Sequence, residues 1–317
     1  MTALVGLFVL LTCCGSSERT HDASARTAAP RAVAITIDDL PAQHGGDLGE
    51  RQKLTARLVG QLTRYGVPAI GFVNEQKLGE PEPDAEQVAL IEAWLEAGLD
   101  LGNHTYSHPS LFTTPLEEFQ ADVIRGEAVT ARLLGERGRR LRYFRHPFLN
   151  TGPDAETKAA FERFLRDRGY VVAPVTIDND EWVYAFAYHK VLASGDSVLA
   201  RHIGQDYVRY MDEVFAFYEQ FSRRLLRREP AQILLIHANH LNADYFYELA
   251  DMILQRGYRF VSLDEALEDP AYRMHDDFTG QAGISWLQRW WITDGREPDW
   301  GPEMPRWVWE IAFPEES

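Results

Sequence analysis

Short apolar runs alternate with amphipathic stretches along most of this chain, and no other sequence feature constrains its fold as strongly. The runs lie at residues 32–37, 68–73, 99–101, 170–177, 233–236 and 259–261. Between them Leu54, Leu58 and Leu62 recur at helical spacing, as do Val88, Ile91 and Leu95, which marks one buried face on each helix. Gly66 and Gly98 stand where those helices would end, and Gly169 and Gly257 follow two further helical stretches at 154–168 and 243–256. This strand-then-helix rhythm predicts a parallel sheet covered by helices, either a barrel or a doubly wound sheet. With 317 residues, 45% of them hydrophobic, the chain can bury one large α/β core or two smaller ones.

The rhythm breaks twice. Residues 182–230 are longer than a simple crossover and include a helical pattern at 205–228 with Tyr207, Tyr210, Met211, Val214, Phe217, Tyr218 and Phe221. Such a stripe reads as core packing; the alternative is one wall of a substrate groove. After Pro270 the chain turns aromatic and irregular, with Trp286, Trp290, Trp291, Trp300, Trp307 and Trp309. This tail, 271–317, is expected to wrap a domain at 32–270. One of its tryptophans could stack on a sugar, but the sequence does not select which.

The polar residues of interest fall where strands end, the edge at which parallel α/β folds assemble their sites. Asp38 and Asp39 end the first run, and His104 follows 100–103 with His108 four residues on. Arg145 follows 141–144, Asp178, Asp180 and Trp182 follow 171–177, and His237 follows 233–236. One aspartate and two histidines supply three nitrogen or oxygen ligands with a fourth position open, as a catalytic zinc requires. The spare carboxylate could act as general base on a water. Pro109 disfavours helix at His108, so a loop or broken turn is expected to bring the two rings together. His44, His146, His202 and His240 read as structural or surface residues. Asn239 and Asn242 could bind sugar hydroxyls or simply make a turn.

The only cysteines are Cys13 and Cys14, so a transition metal held by residues 15–317 needs His, Asp or Glu. Residues 3–11 form an apolar run too short to span a bilayer. That run makes 1–17 read as an export signal, and the cysteines behind it resemble a bacterial lipoprotein cleavage site. A lipid anchor and a signal peptide cut without lipid both stay open, with 18–31 as a tether. The protein is expected to be periplasmic, anchored at the outer face of a membrane, or secreted. A formal net charge of −16 argues against nucleic acid and anionic membranes as partners and favours a neutral or cationic substrate. Nothing in the sequence points to a protein partner.

Taken in order, TIDD, HTYSH, RHPF, DNDEW and LLIH resemble the motifs of the polysaccharide deacetylases, carbohydrate esterase family 4. The resemblance implies a distorted parallel (β/α) barrel, here with an inserted helical segment and an aromatic C-terminal tail. It also implies metal-dependent removal of acetyl groups from sugars. By this resemblance Asp38 is the catalytic base, Asp39, His104 and His108 are the metal ligands, and His237 is the general acid. Arg145 holds the base in place, Trp182 lines the acetyl pocket, and the Phe148 backbone N–H serves the oxyanion. The implied metal is zinc, with cobalt, nickel or manganese fitting the same ligands. The sequence departs from the family pattern at Leu40, at Phe148-Leu149-Asn150 and at Glu181. Asp178, Asp180 or Glu181 could orient Arg145, and Asp180 is the favoured one. The expected reaction is de-N-acetylation of an N-acetylglucosamine glycan of cell-wall or chitin type. Alternatives are an O-acetyl xylan-type esterase, a small-amide C–N hydrolase and a catalytically silent glycan-binding protein.

Overall fold

The computed structural model describes residues 31–281 and 283–314. The export segment expected at 1–17 lies outside the described residues, as does the tether except for Arg31, which already opens a strand. The strands are β1 (Arg31–Leu40), β2 (Ile70–Val73), β3 (Asp100–Asn103), β4 (Tyr143–Phe144), β5 (Val171–Val172), β6 (Gln232–His237) and β7 (Tyr258–Val261). Every pairing between them is parallel, in the order β5-β4-β3-β2-β1-β6, with β7 also on β1.

A strand has two edges, yet β1 has three neighbours. β6 runs along Val33 to Asp38, β7 along Arg31 to Ala34, and β2 along Thr36 to Leu40. Only β7 and β2 avoid overlapping, so they share one edge, and the sheet splays there. At the far side Ile177 bridges Leu234 of β6. The sheet thereby curls back on itself as a distorted barrel. Along β1, Val33, Ile35 and Ile37 join the large core beneath the helices. Ala34 packs inside the curl with Ile70, Phe72, Tyr143, Ala173 and Ile233. Side chains of a strand alternate between faces, so Thr36 and Asp38 continue the inner row toward the mouth. Gly102 is needed on this inner face because a Cβ there would sit 2.4 Å from the Phe72 ring.

The covering helices are α1 (Leu48–Arg64), α2 (Ala85–Glu96), α3 (Leu116–Arg125), α4 (Ala128–Gly135), α5 (Ala155–Asp167), α6 (Glu181–Ser194), α7 (Ser197–Leu226), α8 (His240–Gln255), α9 (Leu263–Leu267), α10 (Trp286–Thr293) and α11 (Arg306–Ala312). Asp47, Asp84, Asp154 and Asp196 cap α1, α2, α5 and α7 through their carboxylates. Two expectations are corrected. The apolar run at 170–177 is not one strand. Pro174 has no N–H to offer a ladder, so 171–172 pair with β4 and Ile177 crosses to β6. The helix expected at 205–228 starts earlier, at Ser197, and follows a separate helix, α6. The tail has no core of its own. Trp286, Leu287, Trp290 and Val308 join the main core, with α10 against α7 and α11 against α6.

Candidate active site

Neighbouring residues of a regular strand face opposite ways, so a strand alone cannot aim both Asp38 and Asp39 at one point. The β1–β2 register shifts between Ile37 and Leu40, and Asp39 adopts φ 69°. Aspartate tolerates this left-handed conformation better than most residues. The bulge brings both carboxylates to His104: its Nε2 lies 3.7 Å from Asp38 Oδ2 and 4.0 Å from Asp39 Oδ1. His108 Nε2 lies 3.8 Å from Asp39 Oδ1.

The HTYSH segment is a loop, with Thr105 at φ 66° and His108 at φ 62°. Asp122 holds it by accepting from the backbone N–H groups of Tyr106 and Ser107, both at 2.9 Å. Asn74 donates to His104 O at 2.6 Å. Gly126 allows the close approach from α3, because a Cβ there would stand 2.4 Å from Thr105 C. His104 Nδ1 pairs with Arg145 O at 2.9 Å. A carbonyl can only accept, so the proton sits on Nδ1 and the Nε2 lone pair faces Asp39.

Arg145, wholly buried, donates from Nε to Ala173 O at 2.9 Å, from Nη2 to Thr36 Oγ1 at 2.8 Å and from Nη1 to Asp38 Oδ2 at 3.2 Å. Thr36 in turn donates to Leu234 O at 2.7 Å. The expected link from Asp180 to Arg145 is absent. Asp180 Oδ2 instead accepts from Tyr210 OH at 3.2 Å, because the helix start turns it toward α7. Burial pushes Asp38 up to about 6 against the pull of Arg145. Burial acts on Asp39 in the same sense, but Lys77, His108, His237 and His104 outweigh it and hold that carboxyl well below the usual range. Burial keeps His104 and His108 neutral.

Asp39, His104 and His108 place ligand atoms within 4.8 Å of one another. The buried Asp39 Oδ1 accepts no hydrogen bond, although the Lys77 ammonium stands 3.2 Å away. A carboxylate with an unmet lone pair and two neutral imidazoles form the donor set a divalent transition metal takes. The residues therefore fit the metal that the motifs imply.

The opposite wall carries His237, whose Cα is in register with Asp38. Its Nδ1 lies 2.6 Å from Oε2 of Glu181, the wholly buried first residue of α6. Glu181 Oε1 accepts from Asn242 Nδ2 at 2.7 Å and also from Asn239 Nδ2. Both asparagines are buried, and Asn239 also caps α8. Their amides hold Glu181 and the helix start, which is a structural role. Burial lowers His237, but Glu181 more than reverses this and its value is raised to about 9. Thr36 is the positioning residue that sequence reasoning missed. Thr36 was findable two residues before Asp38 on the same strand face. Glu181 was one of three candidates for orienting Arg145, and its partner is His237.

Phe148, with φ 56°, sets its exposed ring against His108 at 4.5 Å between centroids. The ring contacts of Trp182 among the described residues are with Phe186, Trp309 and Phe313 at 6.3, 6.5 and 5.9 Å, so it anchors the tail. His146 packs on Phe144 and Phe161, and His202 on Trp307. His44, His189 and His240 form a separate ring cluster.

The polysaccharide deacetylase family model matches residues 25–162, a span that holds Asp38, Asp39, His104, His108 and Arg145 and stops short of Glu181 and His237. A peptidoglycan-N-acetylglucosamine deacetylase of Bacillus cereus is 26% identical over 151 residues, 47% of this chain and 46% of the relative. The chain thus spans about half the length of that relative. Among solved structures, the peptidoglycan deacetylase PdaC of Bacillus subtilis has 18% identity and a TM-score of 0.47, covering 75% of this chain and 91% of the other. A family 4 acetyl xylan esterase from Clostridium thermocellum, in complex with a cobalt ion, has 21% identity, the same TM-score of 0.47 and the same coverage of 75% and 91%. Over residues 25–162, which carry the first of the ordered motifs gathered at one end of the parallel barrel, the chain is similar to the polysaccharide deacetylase family.

Proposed function

We propose that the protein is a metal-dependent glycan deacetylase that hydrolyses N-acetyl groups of N-acetylglucosamine residues. The observation that carries this reading is one mouth holding three groupings: Asp39 with His104 and His108, Asp38 with Arg145, and His237 with Glu181. A divalent cation held by Asp39, His104 and His108 would polarise the acetyl carbonyl and acidify water. Asp38, ionised above about pH 6, takes a proton from the attacking water as its oxygen joins the acetyl carbon. Arg145 positions that carboxylate, and Thr36 fixes Arg145. The Phe148 N–H donates to the carbonyl oxygen as negative charge develops there. An amine leaves poorly as an anion. His237, engaged at Nδ1 by Glu181, offers the proton on Nε2 to the nitrogen as the carbon–nitrogen bond breaks. Acetate and a free amine result. Export through residues 1–17 belongs to the same proposal, since it would bring the enzyme to an extracellular glycan.

The test is acetate release by the zinc-supplied protein from chito-oligosaccharides, peptidoglycan fragments and acetylated xylan, with Asp38→Asn as control. Release from the amide substrates that vanishes in the variant supports the reading. Release from xylan alone would make the protein an esterase, and no release with zinc bound would overturn deacetylation of these glycans.

A further inference from the structure

Beside the catalytic mouth lies a cavity of about 430 Å³, within the range that holds small polar ligands. Its walls come from Asp178 and Asp180, from Tyr210 and Tyr218 of α7, and from Trp300 and Glu303 of the tail. Apart from the two aspartates, these parts lie in the long insert and the tail. Asn179, also on the cavity wall, donates from Nδ2 to Leu235 O at 2.8 Å, two residues before His237, so the cavity adjoins the reacting centre. Trp300 is 62% exposed, which leaves an indole open at the rim.

The cavity is short of positive charge. Asp178 accepts from the N–H of Asn179 at 3.0 Å, and Asp180 from Tyr210 OH at 3.2 Å. Among the described residues neither aspartate, nor Glu303, forms an ion pair. Their ligand atoms do not converge as a metal-holding set, unlike those of Asp39, His104 and His108. Carboxylates with no ion-pair partner gain from a cation that can also donate hydrogen bonds. An indole face adds attraction for such a cation and a flat apolar surface for a pyranose ring.

We infer that this cavity is a sugar subsite for a hexosamine bearing a free ammonium group, adjoining the acetylated residue to be hydrolysed. The inference rests on the glycan deacetylase reading. It gives the enzyme a reason to act next to a residue already deacetylated. Trp300 supplies the platform, and Asp178, Asp180 and Glu303 the counter-charge.

The test uses glucosamine tetramer, which has no acetyl group to lose, titrated into the whole zinc-loaded protein by calorimetry. Cellotetraose is the neutral control. The glucosamine tetramer should bind at least tenfold tighter than cellotetraose. Trp300→Ala and Glu303→Gln, both at exposed positions, should each weaken it about tenfold. Zinc affinity in equilibrium dialysis should be unchanged in both variants, since neither residue belongs to the metal-ligand set. Equal binding of the two tetramers, or binding indifferent to both substitutions, overturns the subsite. Acetate release by the wild-type protein is scored separately. If it fails while binding stays sensitive to Trp300 and Glu303, the deacetylase reading falls and a site for cationic sugars remains.

Discussion

Replacing Glu181 by Gln keeps the side-chain shape and removes one negative charge from beside His237. In the wild-type protein the imidazole is raised from 6.5 to about 9, with Glu181 the main cause opposing burial. At about 1.4 kcal/mol per pH unit, that elevation corresponds to roughly 3 kcal/mol. Without the carboxylate, burial pulls His237 back to its ordinary value or below. At pH 8 the protonated fraction would then fall from roughly nine-tenths to about 3%, a change of about 30-fold in the form able to donate a proton. The direct assay is a carbon–proton NMR titration of the metal-free protein, with His237→Gln identifying the resonance. The midpoint should move down by about two pH units or more in Glu181→Gln. Stability should follow the same linkage. A raised folded-state value contributes fully below about pH 6.5 and is lost as pH rises through about 9. Urea unfolding of the wild type should therefore lose up to about 3 kcal/mol across that window, a loss the variant should lack. A His237 midpoint unmoved by the substitution would refute this account of the pair.

Three further outcomes follow from the same geometry. His108→Ala leaves two ligands of the set and should weaken zinc binding by more than about 100-fold in equilibrium dialysis with metal analysis; stoichiometric zinc at wild-type affinity would contradict the assignment. Arg145→Met strands the Asp38 carboxylate in the interior and should cost about 3–5 kcal/mol at neutral pH. Because Asp38 would then bind its proton more readily than the wild type, whose value is about 6, part of that loss should return as the pH is lowered toward 6 in urea denaturation. Gly126→Ala drives a methyl into Thr105 and Tyr106, whose backbone atoms would stand 2.4 and 2.5 Å from it. It should cost about 1–3 kcal/mol in thermal unfolding and also loosen zinc, because the loop it displaces carries His104 and His108.

Much of the scaffold was legible locally. The apolar runs at 32–37, 68–73 and 233–236 overlap β1, β2 and β6 because a strand buried on both faces must be apolar nearly throughout. Pro109 correctly marked HTYSH as a loop. The run at 170–177 misled, because two short pairings with different neighbours share one apolar string. Trp182 and Asp180 were placed by motif position. The surroundings of their side chains depend on α7 and α11, which are distant in sequence.

The sequence by itself determined the strand-and-helix rhythm, the residue types at the strand ends and the supply of metal ligands, because each follows from local periodicity and side-chain chemistry. The tertiary structure decided which polar groups face one another. The bulge after Ile37 turned Asp39 to the side of Asp38, and the curl of the sheet brought Arg145 to Asp38 across 107 residues. The first turn of α6 delivered Glu181 to His237. Such pairings join residues far apart in the chain, and their energies depend on burial and distance, which only the folded arrangement sets.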